Sequence, residues 1–370
     1  MLALLTWNTQ LMPGPFPGQA GTSRFVSRRA EAIAERVATL AASATLDVVA
    51  FQEVWRARDA ERLGVALAAS GFPHAHVPEP KCGLALFSAA RFPIVRADFR
   101  PFAHRAGPEG RFLEKGAQVV LLEDAEADEA DDAKYVAVAN AHLQSDFWGD
   151  CSKTRARQIP VVRDALEEAV AWASAREKPS GGGAGRGEGA AGPSTLAVAV
   201  GDFNVAAASR EYHDAMRLMA GGGGGGGGAG TRACKKDQRT PAPGFVDVAP
   251  RDERGRLDAA TFPTGRYRGR MRRRVGGGVG EGVGRGNFGG CFGGRFGFGF
   301  GSREGYAAAT PRTRLDYVLR RVAPDETAED ASGWSRAVAL AEGLGRTDDG
   351  EPLSDHAPVF AQLARRRGTR

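Results

Sequence analysis

Near the C-terminus an Asp-His pair, Asp355-His356, sits on the small-residue turn Leu353-Ser354-Asp355-His356-Ala357-Pro358, with an apolar strand signal starting at Val359. A carboxylate beside an imidazole sets up a general base, because the acid fixes the ring's orientation and stabilises its protonated form. One such pair is common on surface turns; here it gains weight from its company. Gly201-Asp202-Phe203-Asn204 follows the apolar run 196–200, Asn140-Ala141-His142 follows 135–139, Gln52-Glu53 follows 46–51, and Asn8 ends the run 2–7. Repeatedly, a strand signal delivers Asn, Asp, Glu or His at or near its C-terminal end. Such a set suits a hard divalent cation of the Mg²⁺ type, which takes oxygen ligands. Glu53 and Asp202 bring charge, Asn8 and Asn204 bring neutral oxygens or N–H donors, and His142 and His356 can move protons. No Cys or His falls at zinc spacing, which argues against a structural zinc site.

The elements that must carry these groups follow from hydrophobic periodicity. Strands rich in Val, Leu and Ala are rigid when buried on both faces, so polar residues at their ends collect along one edge of a sheet. Asp202 and Asn204 alternate around Phe203, which predicts two side chains on one side and Phe203 in the core. Residues 23–42 carry Val26, Ile33, Val37 and Leu40 on one helical face and connect the Asn8 strand to the Glu53 strand. Further strands are expected over 83–88 and 117–122, an acidic solvated loop over 123–134, and a helix over 152–178 that Pro160 starts or kinks. A short helix is expected over 209–219 with Ser209 as N-cap.

At 370 residues, with site motifs from one end to the other, the chain reads as one domain over 1–370. Insertions expected to be disordered fall at about 180–193, 220–244 and 265–311, where Gly/Ala or Arg/Gly/Phe composition cannot build a core. The net charge of +6 looks like an invitation to nucleic acid, but between Gly265 and Gly305 there are nine Arg and two Glu. That segment carries +7 and leaves −1 for the remainder, so global basicity says little about the motif-bearing part. The segment is either an inert expansion or a surface for RNA or acidic lipid head groups. Cys82, Cys151, Cys234 and Cys291 are far apart and fit no disulfide framework. No basic n-region precedes the first strand, and no run approaches the roughly 20 apolar residues of a membrane span. An intracellular location, cytoplasmic or peripheral to a membrane, is expected.

The ordered set Trp7-Asn8, Gln52-Glu53, Asn140-Ala141-His142, Gly201-Asp202-Phe203-Asn204, Leu315-Asp316-Tyr317 and Ser354-Asp355-His356 resembles the endonuclease/exonuclease/phosphatase superfamily. Within it, Gln52-Glu53-Val54-Trp55, Lys115-Gly116 before a strand, and Asn140-Ala141-His142-Leu143-Gln144 are most similar to neutral sphingomyelinases and related sphingolipid phospholipases C. The resemblance implies a four-layer, DNase I-like α/β sandwich: two packed mixed sheets flanked by helices. It also implies Mg²⁺-dependent phosphodiester hydrolysis by direct attack of water, releasing ceramide and a phosphorylated head group from a sphingolipid at a membrane surface. Glu53 and Asn8 would hold the metal, His356 oriented by Asp316 would act as base, and Asp202 and Asn204 would position nucleophile and phosphate. His142 would stand on the leaving-group side. Asp355 either orients His356 or approaches the metal, and Lys115 either binds substrate or is a surface lysine. Phe147-Trp148 and Trp334 are candidate membrane contacts, with core packing as the competing reading. Two other classes stay open: a DNA or RNA nuclease of the same superfamily, and a non-catalytic RNA- or membrane-binding protein acting through the Arg/Gly-rich insert.

Overall fold

Two crossovers organise the chain. Strand β1 (Leu2–Leu11) and β2 (Val48–Val54) pair in parallel and are joined by helix α1 (Val26–Ser43). Strand β7 (Tyr135–His142) and β8 (Leu196–Asp202) do the same through a 25-residue helix, α3 (Ser152–Arg176). Around each parallel pair an antiparallel sheet grows. The first has the order β13-β14-β1-β2-β4-β3, with β3 (His74–His76), β4 (Leu86–Ala90), β13 (Ser335–Ala339) and β14 (Val359–Leu363). The second has the order β5-β6-β7-β8-β12-β9, with β5 (Ile94–Pro101), β6 (Gly116–Glu123), β9 (Phe245–Asp247) and β12 (Asp316–Arg321). A separate ribbon pairs β10 (Phe262–Pro263) with β11 (Arg312–Thr313). Helices α2 (Ala57–Ala69) and α4 (Arg210–Met219) complete the elements among the described residues.

This computed structural model describes residues 1–12, 26–43, 46–79, 86–107, 110, 113–125, 127, 133–146, 149–176, 195–207, 209–221, 244–248, 262–263, 312–313, 316–322, 335–339, 353–354, 356 and 358–363. The expected insertions at 180–193 and 265–311, all but Ala220, Gly221 and Gly244 of 220–244, and the sequence candidates Asp355, Phe147, Trp148 and Trp334 lie outside the described residues.

Three apolar layers produce four structural ones. Val26, Ala30, Ile33, Ala34 and Val37 form the buried stripe of α1 and pack with Leu63 and Leu67 of α2 against Leu5, Trp7, Val49 and Phe51. Between the sheets, Leu2, Leu4, Val48 and Val359 meet Val120, Val136, Val138, Val198, Val200 and Val318. On the far side, Ile159, Val162, Leu166 and Ala169 of α3 cover Val119, Leu121, Ala137, Ala139, Ala197 and Ala199. The result is the α/β/β/α sandwich of two mixed sheets. Each fully buried Val, Leu or Ile contributes about 1.5–3 kcal/mol, so the inter-sheet layer fixes the relation of one sheet to the other. Ser209 caps α4 as expected, its Oγ accepting from Tyr212 N at 3.0 Å. Pro160 lies within α3 rather than at its start; α3 opens at Ser152 and continues through it.

The strands run further than their apolar runs. β1 reaches Leu11, β2 reaches Val54, β7 includes His142 and β8 includes Asp202. Backbone pairing is indifferent to side-chain polarity, so the ladder continues through residues whose side chains face a polar space. A buried polar layer lies beneath that space. Gln52 Nε2 donates to Thr6 Oγ1 (3.1 Å) and Asn140 Oδ1 (2.8 Å), and Asn140 Nδ2 reaches Phe51 O, Phe87 O and Gln118 Oε1. Gln118 Oε1 also accepts from Ser88 Oγ (2.9 Å), and its Nε2 donates to the main-chain oxygen of His76 (2.9 Å). Among the described residues no helix is long and apolar enough to cross a membrane.

Candidate active site

Strand register places three ionisable side chains in one lateral row. His142 pairs with Asp202 across β7–β8, and Asp202 pairs with Asp316 across β8–β12. Residues paired side by side project to the same face. β12 is antiparallel to β8, so its first residue meets the end of β8. For the same reason the segment before β14 and the segment before β6 arrive at this edge, bringing His356 and Lys115. Asn8 and Glu53 come from the facing sheet.

The contacts close the set. Asn8 Nδ2 donates to Glu53 Oε1 and Asp202 Oδ2, both at 3.0 Å, and ties the two sheets at the site. His356 Nδ1 lies 2.8 Å from Asp316 Oδ2, and its Nε2 lies 3.8 Å from Asp202 Oδ2. His142 Nε2 is 3.6 Å from Asp202 Oδ2, 3.9 Å from Glu53 Oε1 and 3.1 Å from Lys115 Nζ. Lys115 Nζ and Asn204 Nδ2 both donate to Leu143 O at 3.1 Å, and Asn204 N donates to Asp202 Oδ1 at 2.8 Å. Thus Asn8, Glu53, Lys115, His142, Asp202, Asn204, Asp316 and His356 surround one space. Lys115 is buried, not a surface lysine. Asn140 and Gln52, part of the sequence motifs, face the same way one layer deeper and belong to the inter-sheet network.

Electrostatics separate the two histidines. Burial holds His142 well below the ordinary imidazole value, and the charges of Lys115 and His356 push in the same direction. It is therefore neutral, and its distances to Glu53 and Asp202 are not ion pairs. Lysine only donates, so Nε2 of His142 accepts from Lys115 and the ring proton sits on Nδ1. Burial also raises the Asp202 carboxyl to about 6; His356 opposes the rise, Asp316 adds to it, and hydrogen bonds from Asn8 and Asn204 restrain it.

The backbone is shaped around these groups. Glu53 (φ 61°), Asn204 (φ 51°) and Gln10 (φ 48°) adopt the left-handed region that L-residues avoid, and strain of this kind costs about 1–3 kcal/mol per residue and concentrates at functional sites. Two glycines have steric reasons. A Cβ on Gly201 (φ 129°) would lie 2.0 Å from Ala141 O, and one on Gly116 would lie 2.4 Å from Arg100 O and 2.6 Å from the Phe99 ring. The Lys115-Gly116 pairing is thereby explained: Gly116 lets β6 approach β5 closely while Lys115 turns into the site.

Two buried arginines on the crossover helices, Arg29 and Arg155, carry no motif in the sequence. Arg29, on α1, donates to Thr9 O (2.7 Å), Gln10 O (3.1 Å) and Leu353 O (2.7 Å). Arg155, on α3, donates to Gln144 O (2.9 Å) and to the carboxylates of Asp146 and Glu211, which raise its already high value further against the opposing effect of burial. The available signal was a charge on an apolar stripe: Arg29 shares a face with Val26, Ala30, Ile33 and Val37, and Arg155 with Ile159, Val162 and Leu166.

A divalent cation fits the donor chemistry. Asp202, Asp316 and His356 offer buried ligand atoms within 4.8 Å of one another, and Glu53 faces Asp202 across Asn8 Nδ2. A carboxyl held near 6 by burial and a neighbouring acid is one that a hard dication would relieve. As arranged, Asn8 turns its NH₂ to the carboxylates and its Oδ1 to Gln10 N (3.1 Å). Turning the amide over, which the similar shapes of O and N permit, would present the oxygen instead.

The sequence matches the Endonuclease/Exonuclease/phosphatase family over residues 5–356. No curated protein matches it. Among solved structures, sphingomyelinase C from Streptomyces griseocarneus superposes with a TM-score of 0.53 at 18% identity, covering 98% of this chain and 99% of that chain. A beta toxin mutant from Staphylococcus aureus with bound magnesium ions gives 0.57 at 13% identity, with 98% and 99% covered. Truncated TDP2 from Caenorhabditis elegans gives 0.52 at 14% identity, with 97% and 96% covered. At these identities the likeness is one of fold.

Proposed function

This chain belongs to the Endonuclease/Exonuclease/phosphatase family, whose members are metal-dependent hydrolases of phosphodiester bonds, and from that premise we propose that it hydrolyses a sphingolipid phosphodiester to ceramide and a phosphorylated head group. The observation that carries the chemistry is the row His142–Asp202–Asp316 with His356 hydrogen-bonded at its far end. It supports a base at His356 and a proton donor at Lys115, beside His142, on opposite sides of the Asp202 carboxylate.

His356 is built to accept a proton. Its Nδ1 faces Asp316 at 2.8 Å, and an Nδ1–H held by a carboxylate leaves Nε2 as the acceptor. The acid also stabilises the imidazolium that forms when water is deprotonated. At the other end of the row, on the leaving-group side, Lys115 is the donor and His142 the group that holds it there by accepting its hydrogen bond. Asp202, with Asn204 held by its carboxylate, orients the water between these two ends. Glu53, with Asn8, would hold Mg²⁺, and Asp355 is a further candidate. Bound there, the cation supplies Lewis-acid neutralisation of phosphate charge and lowers the pKa of water from 15.7. In balance, the water oxygen bonds to phosphorus, the P–O bond to the lipid breaks, and the proton taken at His356 is matched by one delivered from the Lys115 ammonium to the departing alkoxide.

The lipid reading is supported by Lys115-Gly116 and by His142-Leu143-Gln144. In the structure, Lys115 bonds to both His142 and Leu143. The charge of −1 outside the Arg/Gly segment also gives the motif-bearing part no general attraction for a polyanion. The test offers sphingomyelin micelles, an inositol-phosphoceramide and supercoiled plasmid, each with Mg²⁺ and with EDTA. Mg²⁺-dependent head-group release is expected, and plasmid nicking alone would transfer the reading to a nuclease. His356→Ala should lower turnover by about 10²–10⁴-fold while leaving the thermal midpoint nearly unchanged; a fully active variant would remove the base assignment.

A further inference from the structure

We propose that Arg29 is a positioning residue that holds the His356 segment over the end of β1, an inference that rests on the reading of His356 as the base. The described residues Leu353, Ser354 and His356 precede β14, which begins at Val359, and lie outside its ladder. Three anchors hold them. Trp7 Nε1 donates to His356 O at 3.0 Å. Ser354 Oγ donates to Asn8 O at 2.6 Å and accepts from His356 N at 3.1 Å. Arg29 Nε donates to Leu353 O at 2.7 Å.

Arg29 differs from the other two in coming from outside both partners, on α1, and in holding each of them. The β1–β2 register shifts between Asn8 and Leu11, and a bulge of this kind interrupts the even run of ladder bonds. The residues inside the interruption are Thr9 and Gln10, and their carbonyls are the ones that receive Nη2 and Nη1 of Arg29. One planar guanidinium therefore joins the bulge that follows Asn8 to the residue that precedes Ser354. Its plane cannot serve all three carbonyls unless bulge and segment keep their spacing. A lysine in its place has a single nitrogen and no fork. The placement is also costly: the side chain is buried on the apolar stripe of α1, where an alkyl residue would pack without desolvating a charge.

The consequence is geometric. If bulge and segment drift apart, the His356 ring loses its alignment on Asp316 and on the space beside Asp202, and displacements of about 1 Å in a catalytic group cost on the order of 10²-fold in rate. Arg29 touches none of the reacting atoms, so its loss should fall on kcat rather than KM.

The experiment uses the full-length protein and its Arg29→Met, Arg29→Lys and Arg29→Ala variants. Steady-state kinetics on whichever phosphodiester the wild type cleaves are expected to show kcat lower by about 10²-fold in Arg29→Met with KM within about threefold. Arg29→Lys should recover only a small part, and added guanidinium at millimolar concentration should raise kcat of Arg29→Ala but not of wild type. A second arm needs no substrate. In proton NMR the Nδ1–H of His356, assigned by its loss in His356→Ala, should be sharp and downfield in wild type and broadened or absent in the Arg29 variants. Folded Arg29→Met or Arg29→Lys protein with unchanged kcat and an unchanged Nδ1–H signal overturns the proposal. If Arg29→Met fails to fold, Arg29→Lys decides by the same two measurements. If the wild type shows no turnover, the reading of His356 as base fails, while the NMR arm still judges whether Arg29 fixes the ring.

Discussion

Each sheet has one parallel pair, and the two pairs end differently. In β8 the penultimate residue is Gly201, at φ 129°; in β2 it is Glu53, at φ 61°. Both strands take an unusual backbone turn at the same edge. One uses the residue for which the turn is cheap, the other a residue for which it is strained. The reason lies in what the next atoms must do. At Gly201 the Ala141 carbonyl leaves no room for a Cβ, and the side chain needed is the one after it, Asp202. At Glu53 the side chain itself faces Asn8 and His142, so the turn has to tolerate it. Steric need decided the first position and chemical need the second.

The contrast is sharpened first by Gly201→Ala. With a carbonyl oxygen 2.0 Å from the new carbon, β7 and β8 must separate, and a loss of roughly 2–5 kcal/mol in denaturant unfolding is expected. A shift well under 1 kcal/mol would mean the strand end relaxes freely and the comparison fails. Next is Asp202→Asn in EDTA-treated protein. The folded carboxyl binds its proton near pH 6 and the ordinary value is 3.8, so between those values the folded state holds more protons than the unfolded state. Stability from this group is therefore complete below about pH 4, falls as pH rises to about 6, and stays low above. Removing the charge should stabilise the metal-free protein at pH 7 by on the order of 2 kcal/mol, with no gain at pH 4; equal effects at both pH values would refute the assignment. Smaller again, Glu53→Gly should relieve strain and shift stability by about 1 kcal/mol or less in either direction, despite loss of the part-buried contact with Asn8. A drop as large as that of Gly201→Ala would show that the two strand ends are not opposites. Smallest is Glu168→Gln, which removes the surface pairs with Arg96 and Arg100 and should leave the melting midpoint where it was.

The two helix arginines, Arg29 and Arg155, extend the comparison. Each is the fourth residue of its crossover helix and reaches back to the end of the strand before it. Arg155 holds the stretch after β7 through Gln144 O and the Asp146 carboxylate and ties it to α4 through Glu211, while the contacts of Arg29 described above go to neutral carbonyls. Neither was legible from motif or composition. Each appears in sequence only as one charged residue among apolar ones at helical spacing, a pattern that does not say which partner answers the charge. Asn140 shows the opposite failure. It stands in a site motif, two residues before His142, yet period-two geometry puts it one layer lower, where it joins the sheets through Gln52 and the carbonyls of Phe51 and Phe87.

Local order along the chain determined strands β1, β2, β4, β6, β7, β8 and β14, the two crossover helices, the Ser209 cap and the identity of the polar residues at the sheet edge, because each depends on neighbours a few positions away. Tertiary structure alone decided that His142, Asp202 and Asp316 share a row, that Asn8 Nδ2 bridges two carboxylates, and that Arg29 joins residues 9, 10 and 353. Register and sheet-on-sheet packing set those relations. They are fixed by complementary side-chain volumes across long loops, which no local pattern encodes.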